Sequence, residues 1–225
     1  INKLKRYNID DYMVLDYSTR RNLELTTTIR ENKKEGSLLS IIDKTTTAMG
    51  SRLIKRWINQ PLIEKDRIIQ RLNSVDELSD NYLKMQEIQE NLEEIYDLER
   101  ILSKITYETA NARDLAFLRT SLNKLPEIKA SIKEFETEYI NELYENFDTL
   151  NDLYELIKES IVDDPPVTVR EGNLIKEGYD EELDELRSMR DEGKDWITNL
   201  QKEERERTGI SSLKVGFNKV FGYYI

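Results

Sequence analysis

Apolar positions recur at three- and four-residue spacing through most of this chain, the period of helices that bury one face. Over residues 64–160 the stripes run Ile68, Ile69, Leu72 and Val75, then Ile88, Leu92 and Ile95, then Ile101, Leu102 and Ile105. Leu115, Leu118, Leu122 and Leu125 follow, and Pro126 is expected to stop that helix. Leu143, Phe147, Leu150, Leu153 and Ile157 close the series. The stripes are narrow and their opposite faces charged, so each helix should keep one side wet. Earlier, Met49, Leu53 and Trp57 share a helix face with Ile54 and Ile58, ended by Pro61. Ser37 is placed to cap a short helix opening at Leu38. Tyr12–Asp16 has a short strand-like core.

Two stretches break the helical period. Asp163-Asp164-Pro165-Pro166 cannot continue a helix. Val167 and Val169 then alternate with Thr168 and Arg170, which predicts a small β-hairpin over 167–176. Asp180 can cap a long helix over 181–208, with Glu181 and Glu182 in its first turn. Its apolar residues are sparse: Leu183, Leu186, Met189, Trp196, Ile197 and Leu200. Gly193 costs it roughly 1 kcal/mol against Ala. Glu203 and Arg207 are spaced for a local ion pair. At 1.5 Å per residue the helix is ~42 Å long, a strut more than a core element. Gly209 ends it, and residues 211–225 read as one strand, a turn and the opening of a second strand.

Composition narrows the function. Charged residues are 35% and hydrophobic ones 38% of 225 residues. Only 8 Gly and 4 Pro occur, too few for a many-turned β protein. There is no Cys and no His. That excludes a disulfide scaffold, a Cys- or His-ligated zinc site and His-based nucleophilic triads. No apolar run reaches the ~18 residues of a membrane span and no signal peptide is visible, so a cytoplasmic location and no membrane partner are expected. The net charge of −11 is unevenly spread. Residues 1–60 carry +5, residues 61–210 carry −18 and residues 211–225 carry +2. The last segment has no Asp or Glu at all, while the chain has 45.

Few motifs carry chemistry. Gly36–Thr45 ends in Lys44-Thr45 like a phosphate-binding loop, but Asp43 stands where that loop has a glycine. A capped helix is the better reading. The many carboxylates lie on charged helix faces, where solvation explains them. The final segment is more informative. Leu213, Val215 and Phe217 alternate with Lys214, Gly216 and Asn218, and Lys219 joins these at the turn. A cation, a small residue and an amide suit contact with phosphates. An ordinary solvated strand face has the same pattern, and two lysines are few for counterion release.

Longer stretches point to a family. "LDYSTRRNLELT", "DKTTTAMGSRLIKRWINQPL", "DLERILSKI", "ARDLAFLRTSLNKLPEI", "DDPPVTVREGNLIKEGYDEELDELR" and "KEERERTGISSLKVGFNKVFGYYI" resemble, in order, the bacterial MutS family of mismatch-repair proteins. The resemblance runs from about residue 10 to Ile225. It implies a mainly α fold: an elongated multi-helix core with a long protruding helix and small β-hairpins, near 167–176 and at the C-terminus. Residues 1–178 would form the helical core, or lever, and 179–225 the lever helix leading into the start of a DNA clamp. Lys214, Gly216, Asn218 and Lys219 would face the DNA backbone. The family's mismatch-probing Phe-x-Glu and its Walker ATPase motif do not occur here, which implies a non-catalytic piece of a longer protein. ATP and Mg would belong to that longer protein, with no cofactor or metal held here. Its partners would be mismatched double-stranded DNA, a second copy and a MutL-type repair protein, with nucleoid association when bound to DNA. A helical protein-interaction scaffold without a nucleic-acid role is the alternative that the helical stripes alone leave open.

Overall fold

The computed structural model describes residues 11–218, 220 and 222–224. The chain forms two compact units, Ile1–Leu174 and Ile175–Ile225. The mainly helical class expected from the periodicity is what the described residues adopt.

The first unit opens with short helices held by side-chain caps. In α1 (Tyr17–Asn22) the Asp16 carboxylate accepts from Thr19 N at 2.6 Å. Ser37 caps α2 (Leu38–Ile42) as its sequence position predicts. Leu38 N and Leu39 N donate to the carbonyls of Glu24 and Leu25 at 3.0 and 2.9 Å, tying α2 to the loop after α1. Thr47 caps α3 (Ala48–Asn59), and Gln60 ends it just before Pro61. The strand-like stretch at Tyr12 makes a single antiparallel bridge to Leu62, with Met13 N bonded to Pro61 O at 2.8 Å. Asp43 shows why Lys44-Thr45 is no phosphate loop. Its carboxylate accepts from Lys34 Nζ at 2.7 Å, Thr45 Oγ1 at 2.7 Å and Ser51 Oγ at 2.8 Å. These bonds, led by Lys34, hold its carboxyl well below the usual range.

The body of the unit is built on one central helix. Around α7 (Ala112–Ile132) pack α5 (Tyr82–Glu93), α6 (Leu98–Thr106), α8 (Glu138–Glu145) and α9 (Asn151–Ser160). The helix α4 (Lys65–Asp80) packs on α5 and α8. Leu122, Ile128, Ile101, Ile140, Ile157 and Phe135 are buried here. Polar ties fix the register of the helices. Arg52 of α3 donates to both Asp97 oxygens, at 2.6 and 3.0 Å, and to Glu99 at 2.7 Å. Glu77 of α4 accepts from Glu136 N at 2.6 Å and Thr137 N at 3.0 Å, clamping the approach to α8. Lys104 Nζ reaches the buried Asp114 at 2.6 Å. Tyr96 and Phe117 stack at 4.5 Å, and the Arg71 guanidinium lies 3.8 Å over the Trp57 ring.

Three expectations are corrected. Pro126 does not stop its helix: α7 runs on to Ile132. A proline removes one backbone bond and costs about 3 kcal/mol in a helix interior. Here the next turn is held from outside. Ile128 and Ser131 are buried, Ser131 Oγ donates to Glu87 of α5 at 3.1 Å, and Lys129 Nζ donates to Phe147 O at 2.7 Å. The hairpin expected over 167–176 is instead a 3₁₀ turn at Val169–Glu171. Glu171 Oε1 accepts from both Thr168 N at 3.1 Å and Thr168 Oγ1 at 2.8 Å, and two valines are too short an alternation to outweigh that local closure. The stripe on α4 is also not covered: Leu72 and Val75 remain more than half exposed, and Ser74 is the buried residue of that helix.

The second unit holds one long helix and one hairpin. The helix α10 spans Glu181–Thr208, the range that the cap and stop signals predict. None of its residues is buried. The strands β1 (Gly216–Asn218) and β2 (Gly222–Tyr224) pair antiparallel, with Phe217 opposite Tyr223.

Candidate nucleic-acid interface

The acid-free segment takes its position from α10. At the start of that helix, Asp180 accepts from Leu183 N at 2.8 Å, and Asp184 accepts from Gly178 N at 2.6 Å. Arg187 bonds both Asp184 and the Ile175 carbonyl at 2.8 Å. Acidic residues fill the first turn, and Arg205 and Arg207 stand in the last, the order the helix dipole favours. Gly209 closes the helix at φ 70, where a side chain would be strained.

Two side chains of the last turns then hold the chain beyond the cap. Arg205 Nε donates to the Leu213 carbonyl at 2.7 Å. Gln201 accepts from Val215 N at 3.0 Å. Lys214 lies between these two anchored residues, with its backbone held on both sides and its side chain exposed. These bonds fix where the backbone presents the cation.

The hairpin itself is aromatic. Gly216 pairs with Tyr224, and Asn218 with Gly222. The Phe217 and Tyr223 rings meet at 5.0 Å with their planes at 59°, a cross-strand pair of the kind that stabilises short ladders. A Cβ at Gly216 would lie 2.7 Å from the Tyr224 ring. A side chain there would have to displace the tip of the exposed Tyr224 ring. Asn218 Oδ1 accepts from Val220 N at 2.8 Å, so its amide oxygen shapes the turn. Lys219 lies outside the described residues.

Of the expected contacts, then, Lys214, Gly216 and Asn218 fall on one short stretch. Sequence reasoning missed the residues that aim it. Arg205 was legible only as a last-turn cation, and such residues also bind nearby carbonyls. Gln201 gave no signal. The Glu203–Arg207 pair is not formed; Arg207 bonds Glu204 at 2.7 Å, one residue nearer on the same helix surface. Among the described residues no cluster of acidic side chains is arranged to hold a metal ion. Among them, too, no helix is long and apolar enough to cross a membrane.

The chain is similar to known proteins over its whole length. It is 64% identical over 225 residues to a DNA mismatch repair protein MutS of Halothermothrix orenii, of which it covers 25%. It is 49% identical over the same length to a DNA mismatch repair protein MutS of Clostridium kluyveri, covering 26%. With one from Clostridium perfringens the identity is 50%, covering 25%. It thus spans about a quarter of the length of these relatives. The family model for MutS domain III matches residues 18–208, most of the chain, and the chain belongs to that family.

Proposed function

We propose that this chain is the core and lever of a DNA mismatch-repair protein, with the start of a clamp that touches the DNA backbone. It does no chemistry itself. The observation that carries the DNA contact is the acid-free hairpin held at the end of α10, with Lys214 between Leu213, which accepts from Arg205, and Val215, which donates to Gln201. Lys214, Lys219 and the Asn218 amide contact phosphates, and Gly216 serves by seating Tyr224. Residues 61–210 carry −18 and 211–225 carry +2, so DNA is favoured at the acid-free tip over the rest of the chain. The relatives' description as DNA mismatch repair proteins supports the process. In this reading α10 transmits the clamp's state toward an ATPase elsewhere in the longer protein, which works as a dimer with a MutL-type partner. ATP and Mg are held there.

Phosphate contact gives a specific test. In the natural protein that carries this sequence, Lys214→Gln with Lys219→Gln should weaken binding to matched and mismatched duplexes by similar factors. The slope of log affinity against log salt should become shallower by ~2, about one per lysine. An unchanged slope, or a loss confined to mismatched DNA, would rule out a backbone-contacting role. A protein-interaction scaffold is the competing reading, and the exposed Leu186, Met189 and Trp196 of α10 favour it. It expects no change in DNA binding at all.

A further inference from the structure

The basic character of residues 1–60 is not used by the hairpin, and part of it converges on one cavity. Between α1, the turn after it and α3 lies a concavity of about 560 Å³, within the range of small-molecule sites. Arg20 and Arg21 of α1 and Lys55 of α3 line it, and no Asp or Glu among the described residues does so. In a chain with 45 acidic and 34 basic residues, three cations sharing a hollow without a carboxylate call for a ligand. None of the three makes an ion pair within 4 Å with a described residue. Asp16, one turn before Arg20, accepts from Thr19 N at 2.6 Å and also feels the Arg20 charge, so the carboxylate balances part of one cation.

Several groups around these cations can donate, beside the amides of Asn32 and Asn59. Arg20 Nε is buried and has no hydrogen-bond partner among the described residues, a costly state for a charged donor. The hydroxyls of Thr26, Thr27 and Thr28 line the same wall. Thr28 Oγ1 accepts weakly from Lys33 N at 3.4 Å, which leaves its own proton to donate. The adjoining depression is lined by Glu24, Glu31 and Glu35 with Arg30 as its one cation among the described residues, a net acidic set that favours an anion on the basic side.

We propose that this cavity binds a small phosphate-bearing anion, of the size and charge of pyrophosphate. Two guanidiniums offer paired donors that fit phosphoryl oxygens, and Lys55 adds a point charge. One carboxylate would leave two of the three cations unmatched; a ligand of charge −2 to −3 matches the set. The site is separate from the hairpin and does not depend on its role in DNA contact.

Site-resolved hydrogen exchange on the natural protein carrying this sequence tests it. Pyrophosphate should slow exchange over residues 17–32 and 50–60, saturably, against sodium chloride at equal ionic strength. Arg21→Gln and Lys55→Gln should each weaken that effect about tenfold, while Lys55→Arg keeps it. Unchanged exchange over 112–132 certifies that the variants are folded. Absent or non-saturating protection overturns the site, as does protection that the variants leave intact. A short DNA duplex that protects these residues where pyrophosphate does not would also overturn it, by showing a nucleic-acid surface in place of a small-molecule one.

Discussion

In α7, Leu122 keeps 2% of its surface exposed; in α10, Leu186, Met189 and Trp196 keep 56%, 64% and 65%. Both helices are long, at 21 and 28 residues, and both are well capped. They differ in what holds them. The middle of α7 is fixed by four neighbouring helices, firmly enough to carry a proline in its interior. The shaft of α10 relies on its Asp180 cap, its charged termini and exposed pairs such as Arg190–Asp191 and Arg207–Glu204. Solvent and salt screen such exposed pairs, so they contribute little. Burial gives a region its own stability. Local caps and pairs give it a shape that is cheap to disturb, which suits a part that passes on a change made at its tip. The body is not uniformly buried, since the apolar stripe of α4 stays open.

The largest expected effect comes from deleting buried volume. Leu122→Ala should cost the body about 2–5 kcal/mol in urea unfolding, through lost burial and a residual cavity. Trp196→Ala, although it removes a larger side chain, should change the stability of α10 by less than ~0.5 kcal/mol. Comparable losses at the two sites would erase the contrast.

Acid should separate the regions next. Asp43 and Asp97 are held below the usual carboxylate range, first by bonds from Lys34 and Arg52 respectively. Burial opposes the ionisation of Asp114, yet the bonds from Lys104 and Asn111 outweigh it and its carboxyl is also lowered. Groups lowered in the folded state stabilise it fully above their unfolded value of about 3.9, and that stability is lost as pH falls through the folded values. The body should therefore weaken progressively below about pH 4, and still do so in high salt, because Asp43 and Asp114 are sheltered. In α10, Asp191 and Glu204 are lowered by exposed arginine partners, Arg190 and Arg207. Their contribution should fade in ~0.5 M salt, where the screening length is only a few ångströms. Urea midpoints for the body and exchange rates for α10, at pH 7 and pH 3 with and without salt, measure this.

A smaller change should act in the opposite direction. Gly193 lies in the shaft of α10 with open space where a Cβ would go. Gly193→Ala should stabilise that helix by up to ~1 kcal/mol and slow its exchange, with the body unchanged. A stiffer α10 that left DNA affinity and its coupling to the rest of the protein unaltered would count against a transmitting role.

Local signals carried the legible part of this structure. Asp180 and Gly209 mark both ends of α10 because caps depend on residues next to the boundary. Ser37 and Pro61 bound their helices for the same reason. What failed depended on distant contacts or on competition between short motifs. Pro126 is a stop in isolation, and the burial of Ile128 with the ties of Ser131 to Glu87 and of Lys129 to Phe147 carries the helix past it. Val167 and Val169 alternate like a strand, but the Thr168–Glu171 cap closes first. The hairpin was legible from its alternation and lack of acids. Its orientation was not, because the bonds of Gln201 and Arg205 span 14 and 8 residues with no periodic mark.

Residue-resolved hydrogen exchange on this 225-residue chain tests the contrast most directly. The account expects amides in the middle of α7, around Ser121 and Leu122, to exchange ~100-fold or more slowly than those of α10 between residues 189 and 200. Lys214 and its neighbours should exchange faster still once Arg205→Ala removes their anchor. Equal protection of α7 and α10 would contradict the account, because it would show that α10 draws its stability from burial that the exposed Leu186, Met189 and Trp196 do not provide.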